Sequence, residues 1–232
     1  MIPLAQTRLY AFVDTAYLHG RDPVELTRQL AGGGADLIQL RAKDWPIDRI
    51  EHAAEHMLAI CGRHGIRLVV NDHPVVAARV GAPLAHLGQE DFFDAGHTSM
   101  ETFAESTFKG VCSKGARPGI GLSSHAPEQA QRAQASGAAY VAVGPVFATP
   151  TKPGRPAVTL EYVRWAAAHL TGIPWYAIGG IQRSTLESVL EAGARRVCVV
   201  SDILNAPNPG AACREFRRAL ERFPLAAAPR AA

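Results

Sequence analysis

The sequence predicts one α/β fold, a (β/α)₈ barrel of parallel strands, also called a TIM barrel. Eight short runs rich in Val, Ile, Leu and Tyr alternate with amphipathic helical patterns along the chain. The runs are apolar at consecutive positions, as expected for strands that are covered on both faces. The segment after the first run, Asp14-Thr15-Ala16-Tyr17, lacks the glycine-rich turn that is typical of an open doubly wound sheet.

Each element is predicted from its local pattern. The strands are expected at residues 9–14, 37–42, 67–72, 85–88, 120–123, 140–146, 175–179 and 196–201. Helices are expected at residues 23–30, 47–64, 74–80, 127–136, 160–170, 184–191 and 211–220. Asp22 before Pro23 is a good start for the first helix, because Asp caps helix N-termini and proline suits the first turn. The second helix carries an apolar stripe with helical spacing.

The chain of 232 residues is long enough for one barrel or two small domains, and no linker or internal repeat divides it. We expect the barrel to span residues 1–223 and an Ala/Pro-rich flexible tail to span 224–232. One connection, residues 92–118, is longer than a βα connection needs, and it is expected to hold a helix near residues 100–108.

Composition argues against several classes of protein. A hydrophobic content of 47% with 19% charged residues is that of an ordinary globular protein. The net charge of +3 is spread along the chain, which argues against nucleic-acid binding. No segment has the length of a membrane span or the pattern of a signal peptide. The four cysteines have no metal-binding spacing, so we expect reduced thiols and a cytoplasmic protein.

Polar residues alternate with apolar ones at the end of the second predicted strand. Gln39, Arg41 and Lys43 share one face because side chains alternate along a strand. In a barrel this face points to the interior or to the carboxyl rim, where buried cations need an anion. The sequence therefore predicts an anionic substrate here, and structural ion pairs with acids at the rim are the alternative.

Two carboxylates follow neighbouring strands. Asp72 ends the third predicted strand and Asp91 follows the fourth. Neighbouring strands lie about 5 Å apart, so two carboxylates at the same rim can share one cation. Paired oxygen ligands without thiolates suit Mg²⁺ better than zinc. Alternatively, Asp72 caps the helix that begins near Pro74. Asn71 is expected to orient a substrate group or to close a turn.

The later strands predict a phosphate site. Gly179-Gly180 follows the seventh strand and Ser201 the eighth, the usual position of phosphate sites in such barrels. Thr149, Thr151 and Lys152 lie in a Pro/Gly-rich loop after the sixth strand, which is either a phosphate-covering loop or an ordinary surface loop. Ser123 and His125 end the fifth strand, and hydrogen bonding is the expected role of Ser123 because no acidic partner completes a triad. The other histidines are interpreted as surface or packing residues.

These motifs together resemble those of the thiamine phosphate synthase family, in order and over residues 9–216. The matching segments are Gln39-Leu40-Arg41-Ala42-Lys43, Asn71-Asp72, His86-Leu87-Gly88-Gln89-Glu90-Asp91, Gly121-Leu122-Ser123-Ser124-His125, Gly144-Pro145-Val146-Phe147, Thr149-Pro150-Thr151-Lys152, Ile178-Gly179-Gly180-Ile181 and Val200-Ser201.

The resemblance implies a transferase that joins hydroxymethylpyrimidine diphosphate to thiazole phosphate and releases pyrophosphate. It implies small-molecule substrates, a Mg²⁺ cofactor and a possible homo-oligomer. The implied residue roles divide among the pyrophosphate, the metal, the pyrimidine and the thiazole phosphate. They are Arg41, Lys43 and Lys152 on the pyrophosphate; Asp72 and Asp91 on Mg²⁺; Gln39, Asn71 and Ser123 on the pyrimidine or the diphosphate; and Thr149, Thr151, Gly180, Val200 and Ser201 on the thiazole phosphate.

The chain departs from the family pattern in its long 92–118 connection and in Cys198 and Asp202, which flank the last motif. Two alternatives remain. One is a thiazole tautomerase, a relative with the same barrel that commonly lacks the full diphosphate and metal set and in which His125 would fit acid–base catalysis. The other is a non-catalytic regulator that binds a thiamine precursor.

Overall fold

The computed structural model describes residues 1–111, 117–149 and 157–225 of the chain. Eight parallel strands close into one barrel in sequence order, β1 through β8, with β1 paired to β8. The strands are β1 Leu9–Asp14, β2 Leu37–Arg41, β3 Arg67–Asn71, β4 Leu84–Leu87, β5 Gly119–Ser124, β6 Tyr140–Val143, β7 Trp175–Ile178 and β8 Val197–Val199. The predicted (β/α)₈ barrel is therefore confirmed.

Helices follow the strands, as the amphipathic patterns predicted. They are α1 Pro23–Gly32, α2 Ile47–Arg63, α3 Pro74–Val80, α4 Met100–Thr107, α5 Pro127–Ala135, α6 Thr159–His169, α7 Leu186–Glu191, α8 Ser201–Leu204 and α9 Pro209–Glu221. Asp22 caps α1, since its carboxylate accepts from the backbone N–H groups of Val24 and Glu25. Six strands end one to three residues earlier than predicted, and the difference is largest for β6 and β8. β6 stops before Gly144-Pro145, and β8 stops before Ser201, which already belongs to a helix.

The start of the long connection folds against the barrel. A π-helical turn, Glu90–Asp94, follows β4, and α4 follows it at Met100–Thr107, which confirms the helix predicted in this connection. Phe92, Phe93 and Phe103 are buried, and their rings contact one another in an aromatic cluster. The connection therefore adds a hydrophobic patch to the side of the barrel. Residues 112–116 lie outside the described residues.

Three tyrosine rings fill the interior of the barrel. Tyr10, Tyr140 and Tyr176 come from β1, β6 and β7 and pack edge to face, with ring centroids 5.4–5.8 Å apart. Gly121 on β5 makes room for one of them, because a Cβ atom there would lie 2.1 Å from the Tyr140 ring. Rings of this size close the middle of the barrel, so any substrate site must lie above them, at the rim.

The cysteines at positions 61, 198 and 213 are free buried thiols, while Cys112 lies outside the described residues. Among the helices of the described ranges, none combines the length and the hydropathy needed to cross a bilayer. The proposed boundary at residue 223 stays a prediction, and residues 226–232 of the expected tail lie outside the described residues.

Candidate active site

A pocket opens at the carboxyl ends of the strands, above the tyrosine layer. Its walls come from all eight strands and from loops that follow them. The lining residues include Tyr10, Phe12, Gln39, Arg41, Asn71, His86, Ser123, His125, Ala142, Gly144, Pro145, Thr149, Ile178, Gly179, Gly180, Ile181, Cys198, Val200 and Ser201. Eight of the residues predicted from the sequence thus line one cavity, because parallel strands of a barrel end at one face.

The three polar residues at the end of β2 occupy successive depths of the barrel. Gln39 is buried on the floor, with 2% of its surface exposed. Arg41 lines the pocket wall with its side chain 13% exposed. Lys43 lies beyond the strand end with a side chain 55% exposed, and its Nζ atom is 3.9 Å from Oδ2 of Asp72. The alternation therefore does place the three side chains on one face, graded from floor to rim.

Arg41 is held by an acid that the motif analysis did not single out. Asp14, at the end of the neighbouring strand β1, is 1% exposed, and its Oδ2 atom accepts from Arg41 Nη1 at 2.8 Å. Its Oδ1 atom accepts from the N–H of Ala16 at 3.1 Å. The pairing of Asp14 with Arg41 in the sheet register brings the two side chains together. The alternative of a structural ion pair thus holds for Arg41, although the guanidinium still faces the pocket.

The two candidate metal ligands lie at the rim outside the lining of the pocket floor. Asp72 has a left-handed backbone with φ of 62°, and its N–H donates to the carbonyl of His86. Its side chain is 33% exposed and near Lys43, whereas α3 begins after His73 without a side-chain cap. Asp91 is exposed on the π-helical turn, where its Oδ2 atom accepts from the N–H of Gly88 at 3.2 Å.

This donor set fits Mg²⁺ only with help from a substrate. The described residues contain no group of three or more His, Cys, Asp or Glu side chains arranged to hold a metal. Mg²⁺ in proteins commonly keeps several waters and uses one or two carboxylates together with substrate phosphates. A left-handed aspartate at the end of a strand costs conformational energy, and such strained residues concentrate at functional sites. Asp72 and Asp91 are therefore two rim carboxylates of the type that hold Mg²⁺ together with phosphate oxygens.

His86 was interpreted as a surface or packing residue, and it does pack inside the barrel, where its ring stacks on that of Tyr140. The side chain is buried on β4, lines the pocket and forms two polar contacts. Its Nε2 atom is 3.0 Å from Ser123 Oγ, and its Nδ1 atom is 3.1 Å from Tyr140 OH. Nδ1 thus bonds a buried phenol, at the position where a hydrolytic triad has its carboxylate. Asn71 pairs with His86 in the register and also lines the pocket.

The opposite side of the pocket is made by turns after β6, β7 and β8. Gly179 and Gly180 have φ values of 100° and 64°, which favour glycine. A Cβ atom at Gly180 would lie 2.7 Å from Phe147 Cβ, so this turn packs directly against the loop after β6. Thr149, Val200 and Ser201 line the same side of the pocket. Small residues and a hydroxyl here leave room for an oxyanion beside backbone N–H groups.

Asp202, a departure from the family pattern, has a clear structural contact. Its Oδ2 atom accepts from Arg183 Nε at 2.9 Å and from the Arg183 backbone N–H at 3.3 Å. Arg183 also donates to Glu215 on α9 at 2.8 Å. These contacts tie the turn after β7 to the helices after β8, and so they support both sides of the predicted phosphate site.

Burial sets the protonation of the pocket floor. It raises the pKa of both Tyr10 and Tyr140 well above the usual value of 10.0. It also raises the pKa of the Cys198 thiol well above 9.0. The floor therefore carries neutral phenols and a neutral thiol near pH 7, and neither group type is available as an anionic base.

The comparison with family models decides the membership of the chain. The model for thiamine monophosphate synthase matches residues 9–203, which includes all eight strands and the pocket. The chain belongs to this family. Its membership confirms the resemblance carried by the motifs at the strand ends.

Individual relatives agree with the family assignment. The chain is 48% identical over 197 residues to thiamine-phosphate synthase of Thermus thermophilus, covering 85% of this chain and 88% of that protein. It is 42% identical over 214 residues to thiamine-phosphate synthase of Acidothermus cellulolyticus, covering 92% and 94%. Thiamine phosphate pyrophosphorylase from Pyrococcus furiosus superimposes with a TM-score of 0.79 at 26% identity, covering 95% of this chain and 98% of that one. As a member of this synthase family, the chain is an enzyme of the transferase class.

Two predicted site residues, Thr151 and Lys152, lie outside the described residues. Three residues in the pocket region, Tyr10, Asp14 and His86, were missed as functional candidates. Tyr10 and His86 each lie between two apolar residues of a strand, and Asp14 ends its strand before Thr15, so none of them belongs to a cluster of charged residues in the sequence. The available signal was a polar residue at a strand position that faces the barrel interior. It was clearest for His86, which lies between Ala85 and Leu87.

Proposed function

We propose that this enzyme joins 4-amino-2-methyl-5-hydroxymethylpyrimidine diphosphate to 4-methyl-5-(2-phosphoethyl)thiazole, giving thiamine phosphate and pyrophosphate. The observation that supports this most directly is the two-sided pocket. Polar residues of β2, β3 and β5 line one side, and the glycine-containing turns after β6 to β8 line the other. Such a pocket suits two phosphorylated substrates, one bound near the cationic side chains and the other near the glycine-containing turns. Family membership supports the same reaction.

Arg41, Lys43 and Lys152 are proposed to bind the diphosphate. Arg41 is held in place by Asp14, so its guanidinium is preorganised beside the pocket. Lys43 is exposed at the rim, where it can reach an incoming diphosphate. Gln39, Asn71 and Ser123 are proposed to orient the pyrimidine, because all three are buried polar residues of the pocket.

Asp72 and Asp91 would hold Mg²⁺, the proposed cofactor, as it arrives with the diphosphate. When bound, the ion would act as a Lewis acid that neutralises part of the charge of the leaving pyrophosphate. The contact between Lys43 and Asp72 is 3.9 Å long and partly exposed, so little energy opposes its rearrangement. This rearrangement would free the carboxylate for the ion and the ammonium for the phosphates.

Thr149, Thr151, Gly180, Val200 and Ser201 are proposed to bind the phosphate of the thiazole. The left-handed turn at Gly180 and the helix start at Ser201 offer backbone N–H groups close to small side chains. Binding here would direct the thiazole ring toward the middle of the pocket and bring its nitrogen to the pyrimidine methylene carbon.

The proposed chemistry is a dissociative substitution. The C–O bond between the pyrimidine methylene and the diphosphate breaks first, and its electron pair leaves with pyrophosphate. The cation that remains is stabilised by the aminopyrimidine ring. The lone pair of the thiazole nitrogen then forms the C–N bond. No base is required because this nitrogen carries no proton, which agrees with the neutral phenols and thiol on the pocket floor.

Two features of the wider assignment are also proposals. We propose that the enzyme acts in the cytoplasm, since its three described buried cysteines are free thiols and its substrates are phosphorylated metabolites. A homo-oligomer is a further expectation. Neither point affects the chemistry of the pocket.

The test uses purified protein with the pyrimidine diphosphate and the thiazole phosphate, each alone and together, with Mg²⁺ or with a chelator. We expect thiamine phosphate only when both substrates and Mg²⁺ are present. Isomerisation of a thiazole phosphate without the pyrimidine would instead indicate a tautomerase. Binding of both compounds without any turnover would indicate a regulator, and either result would contradict the proposal.

A further inference from the structure

A continuous chain of hydrogen bonds crosses the barrel beneath the pocket. It begins at Gln39, whose Nε2 atom is 2.5 Å from Tyr10 OH. The Tyr10 hydroxyl is 2.8 Å from Tyr140 OH. His86 follows, with its Nδ1 atom 3.1 Å from Tyr140 OH and its Nε2 atom 3.0 Å from Ser123 Oγ. Every member is buried, with at most 8% of its surface exposed, so protein contacts dominate its hydrogen bonding.

The amide at one end gives the chain a direction. Nε2 of Gln39 can only donate, so the Tyr10 oxygen accepts from it, and the Tyr10 O–H has the Tyr140 oxygen at 2.8 Å as an acceptor. Tyr140 then donates to Nδ1 of His86, which makes the imidazole neutral with its proton on Nε2. That N–H donates to Ser123 Oγ, so the hydroxyl proton of Ser123 points away from His86 and can be donated to another group. A cationic His86 would donate to Tyr140 as well, and the Tyr140 proton would lose its acceptor within the chain.

The ends of this chain both face the pocket. We propose that His86 and Tyr140 are positioning residues that fix Ser123 as a hydrogen-bond donor to the substrate, while Gln39 offers its carbonyl oxygen as an acceptor. This inference rests on the proposed function and adds a recognition rule to it. The ligand class is a heteroaromatic ring with an amino donor beside a ring-nitrogen acceptor, as an aminopyrimidine has.

The neutrality of the two phenols supports a fixed direction. Burial raises the pKa of both Tyr10 and Tyr140, so neither becomes an acceptor-only phenolate at ordinary pH. Rotation of the Gln39 amide would reverse every donor in the chain and would make Ser123 an acceptor. The two directions therefore predict opposite tautomers of His86, and that difference can be measured.

The first test is the ¹⁵N NMR spectrum of the imidazole side chains in the substrate-free protein. The His86 signals are assigned by their loss in His86→Gln. We expect a neutral ring with the proton on Nε2. A proton on Nδ1 or on both nitrogens would overturn the proposal. This readout needs no turnover, so it can fail or succeed independently of the proposed reaction.

The second test removes one hydroxyl from the chain with Tyr140→Phe. We expect kcat/KM for the pyrimidine diphosphate to fall about tenfold, as for the loss of one ordinary hydrogen bond, with the KM for thiazole phosphate unchanged. His86 should then show both neutral tautomers. The matched control is Tyr176→Phe. Tyr176 packs against the same rings, but its hydroxyl contacts Thr7, which is not part of this chain of hydrogen bonds. Equal kinetic effects of the two variants would contradict the proposal.

A substrate change separates positioning from a general structural effect. Analogues in which each ring nitrogen is replaced in turn by carbon lose one acceptor. We expect one analogue to react about tenfold more slowly with the wild type, the size of one lost hydrogen bond. The same analogue should show little further loss with Tyr140→Phe, since that variant no longer aligns the Ser123 donor. A full additional loss in the variant would show that the two effects are independent and would overturn the assignment.

Discussion

Asp14 is the residue on which the position of Arg41 depends. Its carboxylate is 1% exposed and bonds both to Arg41 Nη1 and to the N–H of Ala16. We expect Asp14→Ala to lower the free energy of unfolding by about 3 kcal/mol, because it leaves a largely buried guanidinium without its partner. Denaturant unfolding measures this change.

The matched control for this variant is Asp22→Ala, which removes the cap of α1 at the surface. A lost cap costs about 1 kcal/mol. If Asp14→Ala costs no more than Asp22→Ala, Asp14 acts only as a cap and the ion pair contributes nothing to stability.

Asp72 and Asp91 are the residues that test the proposed metal site. We expect Asp72→Asn or Asp91→Asn to lower turnover about 100-fold or more at ordinary Mg²⁺ concentrations, since a neutral amide binds the ion poorly. Asp94→Asn is the control, because Asp94 is an exposed carboxylate on the same π-helical turn as Asp91. Turnover is measured across a Mg²⁺ titration. Near-normal activity of both variants at every Mg²⁺ concentration would remove these residues from the site.

Ser201 tests the proposed phosphate end of the pocket. We expect Ser201→Asp to raise the KM for thiazole phosphate about tenfold or more, because the new carboxylate repels the phosphate at close range. The KM for the pyrimidine diphosphate should change less. Ser184→Asp adds the same charge to an exposed position in the turn after β7. An unchanged KM in Ser201→Asp would exclude Ser201 from the phosphate site.

Site residues could be predicted from the sequence where several polar residues lie close together, and they could not be predicted where a polar residue stands alone. Gln39 and Arg41 were recognised because period-two alternation gave both an inward direction. His86 is flanked by Ala85 and Leu87, so the sequence alone did not separate a packed histidine from one that orients Ser123. The partner of Arg41 was also hidden, since the contact with Asp14 depends on the register of two strands that are distant in sequence.

At the scale of elements, the turns after β6 and β7 form one unit. Backbone N–H groups of Val146 and Phe147 donate to the carbonyls of Ile178 and Gly179 at 2.8 and 3.0 Å. Gly180 packs against Phe147 so closely that a side chain would collide with it. The geometry of the proposed phosphate site therefore depends on this contact between two loops.

Gly180→Ala tests that dependence. We expect it to destabilise the fold by about 1–3 kcal/mol more than Gly20→Ala, because overpacking is added to the cost of a left-handed backbone. Gly20 is the control, since its φ is 80° and a Cβ atom there would meet nothing within 4 Å. Denaturant unfolding and the KM for thiazole phosphate are the two measurements. Equal losses of stability would show that the contact with Phe147 relaxes easily.

Helices and strands were predicted well where a local sequence pattern determines them. The helix at Met100–Thr107 was expected, and Ser99 caps it through the N–H of Thr102. The π-helical turn at Glu90–Asp94 was not expected, because its shape follows from burial of Phe92 and Phe93 against the barrel. Strand ends were predicted least well. Pro145 has no N–H to extend β6, yet the apolar run continues through it.

At the scale of the whole molecule, buried thiols and phenols make stability sensitive to alkali. Burial raises the pKa of Cys61 and of Cys213 from 9.0 to about 12, and it raises the pKa of Cys198 well above 9.0. Below pH 9 these thiols are neutral in both the folded and the unfolded state, and their burial contributes in full to the free energy of unfolding. As pH rises from 9 toward 12, thiols ionise in the unfolded chain but not in the folded one, so the folded state loses stability.

The expected slope is roughly 1.4 kcal/mol per pH unit for each such thiol between these limits. Denaturant unfolding at a series of pH values measures it, and Cys61→Ala should reduce the slope by about that amount. Ser136→Ala serves as the control, because Ser136 is buried but does not titrate in this range. An alkaline slope that is the same in wild type and Cys61→Ala would contradict this account.

The global fold was predictable because it depends on a repeated pattern. Alternation of apolar strands and amphipathic helices defined the barrel, and the barrel in turn gathered polar strand ends into one pocket. Contacts across the interior were not predictable. Tyr10 and Tyr140 meet at 2.8 Å although 130 positions separate them, and no local signal in the sequence pairs them.

The most direct test of the proposed activity is ³¹P NMR of a reaction that contains the purified protein, both substrates and Mg²⁺. We expect thiamine phosphate and pyrophosphate to appear together in a one-to-one ratio, and we expect neither when the thiazole phosphate or Mg²⁺ is left out. A folded protein that releases pyrophosphate without forming thiamine phosphate, or that leaves both substrates unchanged, would contradict it.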